Sequence, residues 1–184
     1  VLNPVAGWPT LGAMADAPSS RRHRIRLARE SFKFSCAHMT VFPNGRKERL
    51  HGHNYFIELA LYVRAIDFQS IIEFAVIRDA IEALCLEWKE VLLLAEHNPF
   101  FEVVSHSDAE LEFRLCDQRY VVPTSDVLLL PIDNITVEGL ASHIASLLAV
   151  RLGPTVLDPA LVAGIDVTVN ESPGQGASCY LPLD

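Results

Sequence analysis

The chain has 184 residues, half of them hydrophobic, enough for one domain with a full core and too few for two comfortable ones. A formal net charge of −8 argues against a nucleic-acid or anionic-membrane surface, since both require clustered positive potential. Apolar runs such as VLLLA at 91–95 fall far short of the roughly 20 residues of a membrane helix, so the expectation is a soluble, cytoplasmic protein whose partners are small molecules or proteins.

Residues 1–25, rich in Pro, Gly, Ala and Ser, read as a disordered leader or cloning remnant, with a single domain over 26–184. RRHRIRLARE at 21–30 alternates Arg with apolar residues, as the approach to a first strand does. SFKFSCAHM from Ser31 alternates aromatic with small or polar residues and reads as that strand. Pro43, Asn44 and Gly45 then break the chain into a loop, and LHGHNYFIELALYVRA from Leu50 is a long second strand pairing antiparallel with the first. IDFQS is a turn and IIEF at 71–74 a short third strand. AVIRDAIEALCLEW is a helix whose Val76, Ile77, Ile81, Leu84, Cys85 and Trp88 recur at three and four and face the sheet. Residues from about 101 to 130 read as an inserted β-hairpin. A second helix follows Thr136, a candidate N-cap, with Glu138 in its first turn and Leu140, Ile144, Leu147 and Leu148 as its stripe. GIDVTVNES and the residues after PGQG close the chain as two strands, giving an α+β fold with an antiparallel sheet. Cys36, Cys85, Cys116 and Cys179 form no CxxC pair and read as buried thiols in a reducing compartment.

Chemistry concentrates in RLHGHNYF at 49–56. Residues two apart on a strand share a face, so His51 and His53 project side by side with Gly52 leaving room between them. His38, 13 residues before His51, is where a hairpin with a loop of about a dozen residues returns the chain to the neighbouring strand. Three imidazoles with a fourth position open suit a catalytic Zn²⁺, whereas a structural zinc would be closed by four protein ligands. The competing reading is a set of histidines that only hydrogen-bond within a core.

The segments FKFSCAHM, LHGHNY, IIEF, TVEGLA and VTVNES stand in the order and spacing of the 6-pyruvoyl-tetrahydropterin synthase and 6-carboxy-tetrahydropterin synthase family, which the chain resembles over residues 30–182. The resemblance implies a T-fold, an antiparallel sheet with two helices on one face, whose subunits join as trimers or hexamers into a β-barrel with active sites at subunit boundaries. It implies His38, His51 and His53 as zinc ligands and Glu171 as the carboxylate that accepts two parallel N–H bonds from a pterin-like substrate. Thr136 and Glu138 match residues flanking the pterin, and both also read as helix-capping residues.

Two departures bear on the chemistry. The family's base is a cysteine in the loop before HGH, and PNGRKERLHGH has none. Glu48 occupies the place where a variant branch carries a glutamate and cuts the side chain of 7,8-dihydroneopterin triphosphate to 6-hydroxymethyl-dihydropterin; the alternative is a solvated glutamate in a charged loop. The family's Leu-Asp-His falls on Trp88, Lys89 and Glu90 without gaps, or leaves Glu96 and His97 as the pair after a shift, so Glu90 and His97 are the candidate relay residues. The resulting expectation is a zinc-dependent lyase with Glu48 as base. Its rivals are a relative acting on a non-pterin heterocycle and a catalytically silent oligomer that binds zinc and pterin.

Overall fold

The computed structural model describes residues 23–66, 68 and 71–183; the expected leader lies outside them except for 23–25. Nine strands and two helices follow in the order β1 (His23–His38), β2 (His51–Val63), α1 (Phe74–Glu87), β3 (Val91–Ala95), β4 (Phe101–His106), β5 (Glu110–Leu115), β6 (Gln118–Pro123), β7 (Val127–Leu130), α2 (Val137–Val156), β8 (Val162–Ser172) and β9 (Gln175–Pro182). The main sheet has the order β7-β3-β1-β2-β8-β9. Its β1-β2-β8-β9 part is antiparallel, as expected, while β3 joins β1 and β7 joins β3 in parallel.

Both helices lie on one face of this sheet. The odd positions of β2 from Tyr55 to Val63 and Ile165, Val167 and Val169 of β8 point inward against Ile77, Ile81, Leu84 and Cys85 of α1 and Leu140, Ala141, Ile144, Ala145 and Leu148 of α2. Val76, expected in the stripe of α1, is 39% exposed, at the margin of that face. Gly153, at φ 61°, breaks α2 before Pro154, which cannot continue a helical hydrogen-bond ladder.

β1 changes face along its length. Ala28 pairs with Glu58, yet Lys33 pairs with Phe56, so β1 spends three more residues than β2 between these points. An odd insertion inverts parity: Ile25 and Leu27 pack inward before it, and Phe32, Phe34 and Cys36 after it. His38 consequently faces the helices. A strand without the irregularity would turn it outward.

Two expectations are corrected. Residues 71–73 form no strand and Phe74 opens α1 directly, because IIEF is too short for apolar pattern alone to separate strand from helix start. The insertion is a three-stranded sheet, β4-β5-β6, rather than a hairpin, and Val127–Leu130 leaves it to extend the main sheet. This small sheet has its own core, in which Leu111, Phe113 and Leu115 pack on Leu92 and Leu94 of β3 and on Met39 and Val41 of the loop after β1.

Candidate metal centre and active site

The β1–β2 pairing builds the centre. His38 stands directly across from His51, and Cys36 across from His53. The three imidazoles offer ring nitrogens that all lie within 4.8 Å of one another. Their ring centroids are 4.6 Å (His38–His51), 5.3 Å (His38–His53) and 4.9 Å (His51–His53) apart. His38 is 2% exposed. Burial, then the neighbouring His51 and His53, push its pKa down to about 4, which keeps the ring neutral and its lone pair available.

Local hydrogen bonds orient the rings. His51 Nδ1 lies 2.7 Å from the Arg49 carbonyl; a carbonyl only accepts, so Nδ1 carries the proton and a neutral ring keeps its lone pair on Nε2. Tyr55, two residues beyond His53 on the same face, places its hydroxyl 3.0 Å from His38 Nε2. His38 Nδ1 is buried with no hydrogen-bond partner. Three imidazoles whose ring nitrogens gather this closely fit a metal better than a hydrogen-bonded core, where each would face a donor or acceptor of its own. Cys36, paired with His53 across the strands, lies outside the cluster.

Two carboxylates reach the centre. Glu48 Oε2 is 3.9 Å from His51 Nε2 and accepts from the Thr40 amide at 3.4 Å. Partial burial works to raise its pKa, but the Thr40 hydrogen bonds and the adjacent His51 and His38 outweigh it and hold the group below its ordinary range. Glu171, near the end of β8, brings Oε1 to 3.3 Å from His53 Nε2.

The other candidates lie outside the three-histidine cluster. Thr136 caps α2, its Oγ1 accepting from the Gly139 amide at 3.2 Å, and lines a cavity of about 570 Å³ with exposed His97 and Ser142 and half-buried His143. Glu138 is exposed in the first turn of α2. Glu90 follows α1 at φ 61°, its amide bonded to the Ser35 carbonyl at 2.6 Å, and lines a different cavity of about 530 Å³ with His53, Asn54 and Asp126. Trp88, the other residue near the expected relay, is buried against Phe34 and stacks on His143 at a centroid distance of 6.0 Å.

A family model described as 6-pyruvoyl tetrahydropterin synthase matches residues 26–181. The chain belongs to that family. A Methanocaldococcus jannaschii relative, named "Putative 6-carboxy-5,6,7,8-tetrahydropterin synthase", is 35% identical over 151 residues, which are 80% of this chain and 88% of the relative. The 6-pyruvoyl tetrahydropterin synthase structure from Plasmodium vivax has a TM-score of 0.80 at 23% identity, covering 89% of this chain and 99% of that one. Its Plasmodium falciparum counterpart likewise has a TM-score of 0.80 at 23% identity, over 88% and 99%. These likenesses establish the T-fold. Two further Plasmodium vivax structures carry alanine or cysteine in place of a glutamate described there as a catalytic residue.

Sequence reasoning missed Tyr55 and Asn134. The period-2 rule put Tyr55 on the histidine face, and that signal alone could have identified it as a partner of His38. Nothing local marks Asn134, whose side chain bonds to Val41 across 93 residues.

Proposed function

We propose that this chain is a zinc-dependent lyase that cuts the side chain of 7,8-dihydroneopterin triphosphate to leave 6-hydroxymethyl-dihydropterin. One observation carries the reading: a carboxylate, Glu48, stands 3.9 Å from an imidazole of a three-histidine cluster, in a loop that contains no cysteine. The catalytic glutamate named for the Plasmodium vivax relative supports it.

His38, His51 and His53 would hold the zinc, which when bound supplies Lewis acidity toward the substrate's side-chain hydroxyls. Glu48, ionised at neutral pH, accepts the proton of the C2′ hydroxyl. The C1′–C2′ bond breaks, its electron pair passes into the ring C=N system, and the proton returns from Glu48 to C1′. The other product is a two-carbon aldehyde bearing the triphosphate, so atoms and charge balance without a redox partner. Glu171 accepts the 2-amino and N3 hydrogens of the ring, with Thr136 and Glu138 beside it. His97, which lines a cavity with Thr136, and Glu90, which lines another with His53, are the positions for proton relay. Assembly into a trimer or hexamer would bring such separated groups together at subunit boundaries.

The name of the Methanocaldococcus relative favours a second product, the 6-carboxy compound. Glu48→Gln tests the base: turnover of the triphosphate should fall by about 10²–10⁴-fold. A variant as active as the native protein would overturn the assignment of the base, and absence of turnover in both would favour a silent binding module.

A further inference from the structure

We infer that Asn134 is a positioning residue that latches the loop carrying Glu48 to the segment carrying Thr136. The inference rests on the function proposed above, because it gives these two residues their roles.

The loop between β1 and β2 folds back on itself. Val41 bridges to Lys47, Phe42 N donates to the Arg46 carbonyl at 2.7 Å, and Glu48 N donates to the Thr40 carbonyl at 2.9 Å. Glu48 therefore rides on one arm of a small hairpin whose other arm is Thr40–Val41. That second arm presents its outer edge to the residues before α2. There the Asn134 carboxamide copies a strand: Oδ1 accepts from Val41 N at 3.0 Å and Nδ2 donates to Val41 O at 2.7 Å. At neutral pH, where carboxylates only accept, a carboxamide is the side chain that sets an acceptor and a donor side by side in this way.

The latch is itself held. Oδ1 also accepts from the next amide, Ile135 N, at 3.1 Å, and Thr40 Oγ1 donates to the Ile135 carbonyl at 3.3 Å. On the far side, nearly buried Asn98 donates Nδ2 to the Asp133 carbonyl at 2.7 Å, which ties the same segment to the entry of the inserted sheet. Among the described residues, no backbone–backbone hydrogen bond joins 39–50 to 131–137. The direct hydrogen bonds between the two segments thus run through side chains, and Asn134 supplies two of them.

Glu48 and Thr136 are 88 positions apart, so nothing local fixes their separation. A misplacement of about 1 Å between a base and its bound substrate costs on the order of 100-fold in rate. Asn134 touches no reacting atom; it acts through Glu48.

The test is a double-mutant cycle with the zinc-loaded, full-length protein and 7,8-dihydroneopterin triphosphate. Its corners are native protein, Asn134→Ala, Glu48→Gln and the double variant. Asn134→Asp accompanies them: it keeps both Oδ1 contacts but sets a carboxylate oxygen against the Val41 carbonyl, and it replaces the alanine variant should that fail to fold. The expected result is a kcat loss of about 10- to 100-fold in Asn134→Ala, with bound metal unchanged, and no further loss when the substitution is added to Glu48→Gln. Losses that multiply in the double variant would overturn the latch. If Glu48→Gln turns over like the native protein, the base assignment falls by itself, and hydrogen exchange still decides the latch. Faster exchange of the 41–48 amides in Asn134→Ala, with β8 unchanged, supports the mechanical joint; unchanged exchange refutes it.

Discussion

Gly52→Ala probes how closely the sheet fixes the centre. Gly52 lies between His51 and His53 and pairs with Ala37 of β1. A Cβ added there would meet the carbonyl oxygen of Cys36 at 3.0 Å, tighter than ordinary van der Waals contact. β1 cannot easily retreat, because Cys36 and Ala37 also pair with Val91 and Leu92 of β3 on its other side. Overpacking of this kind costs about 1–3 kcal/mol, offset by up to about 1 kcal/mol from replacing a glycine within a strand. The expected net loss is about 1–2 kcal/mol, or a fall in Tm of about 2–4 °C per kcal/mol for a chain of this size. The strain lies between two of the three imidazoles and one pair from the third, so it spreads the cluster. If the metal-bound geometry demands most of that energy back, zinc affinity falls about tenfold for each 1.4 kcal/mol. Thermal melting of the metal-free variant and competition against a chromophoric zinc chelator read the two effects separately. A variant that melts with the native protein and competes for zinc equally well would refute the reasoning.

Glu171→Gln separates the two neighbours of that carboxylate: KM for the triphosphate should rise with zinc content unchanged, whereas loss of zinc with KM unchanged would mean that Glu171 serves only to orient His53. Thr136→Ala removes the cap of α2, worth about 1 kcal/mol in a denaturant titration, and should also raise KM; Thr136→Ser, which keeps the hydroxyl, should restore both. In metal-stripped protein, His38 resists protonation in the fold, facing His51, His53 and Glu48. Its contribution is present above the unfolded pKa of about 6.5 and is lost as pH falls toward 4, on the order of 3 kcal/mol in all. Urea titrations from pH 7.5 to 4.5 should show this slope, and His38→Gln should flatten it.

Much of this was legible in the chain because local pattern and tertiary structure agree. The period-2 run through Phe32 and Phe34 and the three-and-four stripe around Ile81 and Leu84 specify elements that the core then buries. His51 and His53 share a face by strand geometry alone. The remainder depends on pairings that no local window contains. VLLL at 127–130 reads like the insertion it follows, yet it pairs in parallel with β3, about 35 residues earlier. The irregularity between Ala28 and Lys33 sets the face of His38, and no glycine or proline stands within those residues to announce it. The two candidate relay positions are also far from equivalent in space: Glu90 and His97 line different cavities, a separation that alignment along the chain does not convey.

The most direct measurement is mass spectrometry of the products formed from 7,8-dihydroneopterin triphosphate by zinc-loaded protein, with metal-stripped protein alongside. Zinc-dependent 6-hydroxymethyl-dihydropterin is the expected result. A 6-pyruvoyl or 6-carboxy product, or untouched substrate, would contradict it.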